Sequence, residues 1–181
     1  MLKPIVALLL LIPIAASAAS FQLSSPDVKP NGTIANKHVF KGFGCEGENV
    51  SPALEWRNPP ASTKSFALTV YDPDAPTGSG WWHWVVVDIP ASTTSLAANA
   101  GSADGKSVPA GSVQVRTDFG APGYGGPCPP QGDKPHHYVF TVYALKTDKL
   151  GVASDARAAM AGFMIHANEL GKASFTAIYG R

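Results

Sequence analysis

In the segment YDPDAPTGSGWWHWVVVDIP, residues 71–90, two aspartates flank a proline, and a glycine-rich turn later a histidine stands between tryptophans. If the backbone there is extended, Asp72 and Asp74 project to one side, an arrangement that attracts a cation. Aspartates in turns also accept backbone N–H groups, and Pro73 and Pro76 suit a turn equally well. His83 begins the next strand, and a hairpin through TGSG would return it near both carboxylates. A second group sits in GYGGPCPPQGDKPHHYVF, residues 123–140, where a glycine and proline loop runs into His136, His137 and Tyr138. Pro127, Pro129 and Pro130 stiffen this loop toward polyproline II geometry, and Gly125 and Gly126 would let backbone approach a ligand closely. Carboxylate, imidazole, phenol and a stiff wall together suit recognition of a small polar group. Singly, each also suits a turn, a core or an ordinary connection.

Two aspartates and two histidines could also hold a metal or act as an acid/base cluster in a metal-dependent hydrolase. The sequence has neither a Gly-x-Ser-x-Gly nucleophile turn nor a His-Glu-x-x-His zinc helix. Its two cysteines, Cys45 and Cys128, are better used as a disulfide than as a nucleophile. The expectation is therefore a protein that is not an enzyme and uses no metal or cofactor.

The elements that would position these residues follow a leader. Residues 1–18 read as a secretory signal, with Lys3 as the positive start, an apolar run over 5–14 and Ala16-Ser17-Ala18 as the cleavage site. The run is shorter than the roughly 20 residues a bilayer span needs, so no transmembrane segment is expected after processing. The expected location is periplasmic or secreted, where Cys45 and Cys128 would pair. Residues 19–181 are of single-domain size. Lys3 is the one charge in the leader, leaving 13 acidic residues matched by as many basic ones. This balance gives no electrostatic case for nucleic acid.

Turn formers punctuate the chain at short intervals and favour strands at 21–23, 53–56, 65–71, 82–88, 113–118, 138–145 and 173–179. In HHYVFTVYAL both alternating faces are largely apolar, which predicts a central strand covered on both sides. One segment predicts a helix: SDARAAMAGFMIHANELG, with Ser154 as N-cap and Gly171 as stop. Its apolar stripe of Met160, Phe163, Met164, Ala167 and Leu170 reads as core, with His166 at the surface. Residues 91–111 read as a surface loop. Trp82 and Trp84 alternate onto one face, as core first, with pocket rim or homodimer contact as alternatives.

The segments SFALTVYDPDAP, WHWVVVDIP and GYGGPCPPQG followed by HHYVFTVYAL resemble the phosphatidylethanolamine-binding protein (PEBP) family, in its bacterial Raf-kinase-inhibitor-like group of YbhB/YbcL type. GENVSPALEW and the C-terminal helix extend the similarity over nearly the whole mature chain. The resemblance implies a mostly β fold, a large central antiparallel sheet packed on a smaller sheet with a helix near the C-terminus. It also implies a small pocket for phosphate or a phospholipid headgroup such as phosphorylethanolamine. Its ligand-binding positions would be Asp72, Asp74, His83, Pro129, Pro130, His136 and Tyr138, with His137 where an arginine is usual. A headgroup ammonium would face Asp72 and Asp74, and its phosphate would take protonated His83 and His136, so that affinity falls as pH rises. Members of the family also regulate kinases or inhibit proteases, so a protein partner outside the cytoplasm is the alternative reading.

Overall fold

Strand β9 (His136–Leu145) sets the architecture, because its ten residues are apolar on both faces and so need cover on both. Residues 19–181 are described by a computed structural model; the expected leader, 1–18, lies outside the described residues. β9 lies inside a five-stranded antiparallel sheet of order β10-β9-β5-β6-β8. The other strands are β5 (Ser65–Asp72), β6 (Trp81–Pro90), β8 (Val113–Gln114) and β10 (Glu169–Tyr179). A small sheet of β1 (Gln22–Ser24), β4 (Leu54–Arg57) and β7 (Ser95–Leu96) packs on one face. A hairpin of β2 (Lys41–Gly42) and β3 (Cys45–Glu46) stands apart from both sheets.

Two apolar layers follow from the pleat. Tyr138, Phe140, Val142 and Ala144 join Val70, Trp84, Phe175, Trp56 and Leu54 between the sheets. Tyr143 and Leu145 turn to the opposite face, with Val85, Val87 and the helix α1 (Ala158–Asn168). The predicted alternation of β9 is thus present. Burying Phe140, which stacks on Phe175 with ring centroids 4.9 Å apart, contributes about 2 kcal/mol.

The helix differs from its sequence expectation in phase. Arg157, not Ser154, is the N-cap, and the helix ends at Asn168, with Gly171 already inside β10 after a bulge. Its buried face is Ala158, Ala161, Gly162 and Ile165, while Met160 and Phe163 are 57% and 69% exposed. Small residues bring the helix axis close to the sheet; a Cβ on Gly162 would lie 3.5 Å from the Trp82 ring. Met160 and Phe163 therefore face outward, Met164 packs only partly buried against this layer and Ile165 supplies a large buried side chain, so the expected stripe is out of phase with the buried face.

Two smaller differences concern edges. The expected strand 113–118 shortens to Val113–Gln114, followed by an isolated bridge between Arg116 and Pro122. The expected loop 91–111 contains β7, which pairs with β4 through Leu54 and Leu96.

Cys45 and Cys128 form a disulfide, with Cα atoms 6.0 Å apart and a sequence separation of 83. Closing a loop of that length removes entropy from the unfolded chain worth about 4 kcal/mol. A Cys45→Ser/Cys128→Ser double variant should unfold at correspondingly lower denaturant in equilibrium urea titration. A midpoint equal to that of the oxidised protein would contradict this.

Candidate functional site

One end of the large sheet gathers most of the residues expected to bind. Asp72 ends β5, His136 and Tyr138 begin β9, and Val70, Tyr138 and Phe140 mark the shared face. His83 reaches that face through an irregularity. Val70 pairs with Trp84 and Tyr71 with Trp82, so two steps on β6 oppose one on β5 and His83 is the extra residue of a bulge. The bulge reverses the alternation. Trp84 stays in the core between the sheets while Trp82 packs on the helix side, so the two do not share a face as strict alternation predicted. Trp81 and His83 now both line a cavity of about 180 Å³.

Asp72, which is buried, spends both carboxylate oxygens within the protein. Oδ1 accepts from the N–H groups of Asp74 at 2.8 Å and Ala75 at 3.2 Å, which folds the Asp-Pro-Asp-Ala-Pro turn. Oδ2 accepts from His136 Nδ1 at 2.7 Å. Asp74 is directed elsewhere: its Oδ2 accepts from the His137 N–H and from His137 Nδ1, each at 2.7 Å, outside the cavity lining. These hydrogen bonds, with the charge of His137 and His136 nearby, hold its carboxyl below the usual range against the opposing effect of partial burial. The two aspartates therefore do not converge on one ligand.

His83 is wholly buried, and burial lowers its pKa to about 4, despite hydrogen bonding to backbone and the nearby Asp72 carboxylate. Nδ1–H donates to the Gly125 carbonyl at 2.7 Å, and the Gly125 N–H returns a bond to the His83 carbonyl at 2.8 Å. The ring is consequently neutral near pH 7, with Nε2 as a free acceptor. At the cavity floor the Tyr138 hydroxyl is buried without a hydrogen-bond partner, and burial raises its pKa above the ordinary phenol value. An orphan donor in so buried a position costs about 1–3 kcal/mol until something accepts from it.

The walls are apolar. Phe43, Trp81, Phe119, Pro76, Pro129 and Pro130 line the cavity, and among the described residues neither lysine nor arginine does. Pro129 and Pro130 stand where the sequence placed them. Gly125 and Gly126 serve a different purpose from the expected one: a Cβ on Gly125 would meet the Phe119 ring at 2.3 Å, and one on Gly126 the His38 carbonyl at 2.1 Å. They admit the chain's own segments, so that Phe40 N–H can donate to the Pro127 carbonyl at 3.0 Å.

Phe43 escaped the sequence reading. It sits at the tip of the β2–β3 hairpin with φ +53°, 69% exposed, with its ring near Phe40 and Phe119 at centroid distances of 5.3 and 6.0 Å. Arg181 fixes the same corner, donating to the carbonyls of Pro129 at 2.7 Å and Gly44 at 2.9 Å. The signal available was Cys45, two residues from Phe43, which ties the hairpin to the loop at Cys128. Among the described residues, no group of three or more His, Cys, Asp and Glu side chains is placed to hold a metal ion.

A family model described as phosphatidylethanolamine-binding protein matches residues 24–180. The chain is 55% identical to YbcL of Escherichia coli over 168 residues, 93% of this chain and 92% of that one. It is 49% identical to YbhB of the same organism over 158 residues, 87% of this chain and 99% of that one. The crystal structure of E. coli YbcL matches with a TM-score of 0.89 over 90% of this chain and 99% of that one. A PEBP homolog from Chlamydia trachomatis, CT736, matches at 28% identity with a TM-score of 0.71, over 91% and 99% of the two chains.

The low pKa of His83 has a consequence for stability. Between its ordinary value of 6.5 and about 4, the unfolded chain binds a proton that the folded chain refuses. Stability should therefore be full above pH 6.5 and fall as pH drops toward 4, by about 3 kcal/mol in all. His83→Gln should flatten that part of the profile in urea titrations between pH 7 and pH 4. An unchanged slope would refute the assignment.

Proposed function

The chain belongs to the phosphatidylethanolamine-binding protein family, and from that premise we propose that it is an exported, non-catalytic binding protein whose cavity takes a small phosphate monoester such as a phospholipid-headgroup fragment. The observation that carries this reading is the orphan Tyr138 hydroxyl on the cavity floor beside the neutral His83. The hydroxyl needs an acceptor, and His83 Nε2 needs a donor. A monoprotonated phosphate monoester supplies both, a P–O⁻ to the phenol and a P–OH to the imidazole. The absence of lysine and arginine from the lining disfavours a dianion.

This differs from a headgroup grasped by protonated histidines and paired aspartates. Asp72 is largely engaged by its turn and by His136, and Asp74 is turned to His137 outside the cavity lining. The pH trend keeps its direction but changes its cause. Affinity rises below about pH 6 because the ligand acquires its proton there. Phe43, Trp81 and Phe119 would then contact whatever the phosphate carries.

Export is supported by the disulfide, which persists only where conditions are oxidising. It is also what the leader-like character of residues 1–18 predicts.

Titration of the oxidised protein with phosphorylethanolamine at pH 5.5, followed by histidine ring and Tyr138 signals, tests the proposal. Saturable shifts are expected at His83, His136 and Tyr138. Tyr138→Phe, which removes one oxygen from a buried position, should weaken binding about tenfold at little cost in stability. Binding that is tighter at pH 8 than at pH 5.5, or indifferent to the loss of the hydroxyl, would defeat it.

A further inference from the structure

The bulge at His83 that turns Trp81 toward the cavity turns Trp82 to the opposite face of the sheet, where it meets Tyr71, whose place there follows from the ordinary alternation of β5. There they wall a cleft of about 630 Å³ together with Arg116, Arg157, Thr117 and Asp118. The rings of Tyr71 and Trp82 lie 4.7 Å apart. Arg116 comes from the segment after β8 and is half-buried, its backbone N–H held by the Ser154 carbonyl at 2.7 Å. Arg157 is the N-cap of α1. Among the described residues neither guanidinium forms an ion pair, and neither donates a side-chain hydrogen bond of the kind Arg181 makes. The one carboxylate in the lining, Asp118, uses Oδ2 to accept the Trp82 N–H at 2.8 Å, which turns part of its charge to the strand.

Two cations from separate elements thus line one cleft and outnumber its acid. Ala158 and Ala159, the first two helical residues, line the same cleft, and the first turn contains no acidic side chain to oppose an anion. Guanidinium groups recognise tetrahedral oxyanions through paired N–H donors, and an aromatic wall beside them accepts a flat or apolar substituent. We propose that this cleft is a second binding site, separate from the cavity on the other face, for a small molecule that carries a phosphate or sulfate group. Arg116 and Arg157 hold the oxyanion, and Tyr71 and Trp82 contact the body of the ligand. The site prefers a dianion because two guanidinium groups face it. Its pH trend therefore runs opposite to that of the cavity lined by Tyr138 and His83.

Backbone amide and arginine side-chain NMR signals of the oxidised protein, titrated with inorganic phosphate, inorganic sulfate and phenyl phosphate at pH 7.5, read the site directly. Saturable shifts are expected at the Ala158 and Ala159 amides and at the Arg116 and Arg157 Nε–H signals. Phenyl phosphate should bind several-fold more tightly than either inorganic ion. Arg157→Gln, at an exposed position that leaves folding intact, should weaken phenyl phosphate about tenfold. Inorganic phosphate binding without sulfate binding would identify the ligand as a phosphoryl compound, and equal binding would support a sulfate ester as well. Linear, unsaturated shifts that persist in Arg157→Gln, or shifts confined to His83, His136 and Tyr138, would overturn the second site.

Discussion

The buried pair of Asp72 and His136 is the constraint from which the cavity follows. One oxygen of Asp72 folds the Asp-Pro-Asp-Ala-Pro turn and the other receives His136, so a single side chain fixes the end of β5 to the start of β9. Removing a carboxylate from water is costly, and these three short bonds repay it only together. The same bonds bear on what Asp72 can do for a ligand. It sets the position of His136 and the shape of the turn, and with Oδ1 taken by two N–H groups and Oδ2 by His136 it has one acceptor site left toward the cavity it lines.

The second structural decision is the single extra residue at His83. With strict alternation, Trp82 and Trp84 would share the core face and His83 would point to the helix side. The bulge brings Trp81 and His83 to the cavity and sends Trp82 to the back of the sheet against Gly162. One inserted residue thereby divides a run of aromatic and imidazole side chains between two concave surfaces. The exchange of hydrogen bonds between His83 and Gly125 holds the bulge in place. Burial, not the bond, keeps His83 neutral: the hydrogen bond to Gly125 favours the protonated ring, and desolvation outweighs it.

Much of the fold was legible in the sequence, because β-branched and aromatic runs bounded by turn formers mark β5, β6 and β9, and the alternation of β9 is dictated by burial on both sides. The proximity of His83, His136, Tyr138, Pro129 and Pro130 was legible for a related reason, since turn formers place them at strand ends or in the connecting loop. Phase was harder to read. The helix stripe failed because side-chain size was taken as a measure of burial, whereas close packing on a sheet selects alanine and glycine at the contact. Asp74 lies outside the cavity lining because the turn that Asp72 caps rotates the next carboxylate toward His137, a tertiary partner that no local pattern reveals. Phe43 lay in a segment with no periodicity at all.

Phe43 also shows why the disulfide matters beyond stability. A non-glycine residue at φ +53° costs about 1 kcal/mol or more, and it persists only where its surroundings over-determine it. Here the surroundings are Cys45 bonded to Cys128, Arg181 gripping the Gly44 and Pro129 carbonyls, and ring packing against Phe40 and Phe119. The disulfide and Arg181 join the hairpin to the proline loop, the rings join it to Phe119, and both hairpin and loop line the cavity. The covalent bond is thus one of three ties that set the wall, and reducing it leaves the hairpin held by Arg181 and ring packing alone.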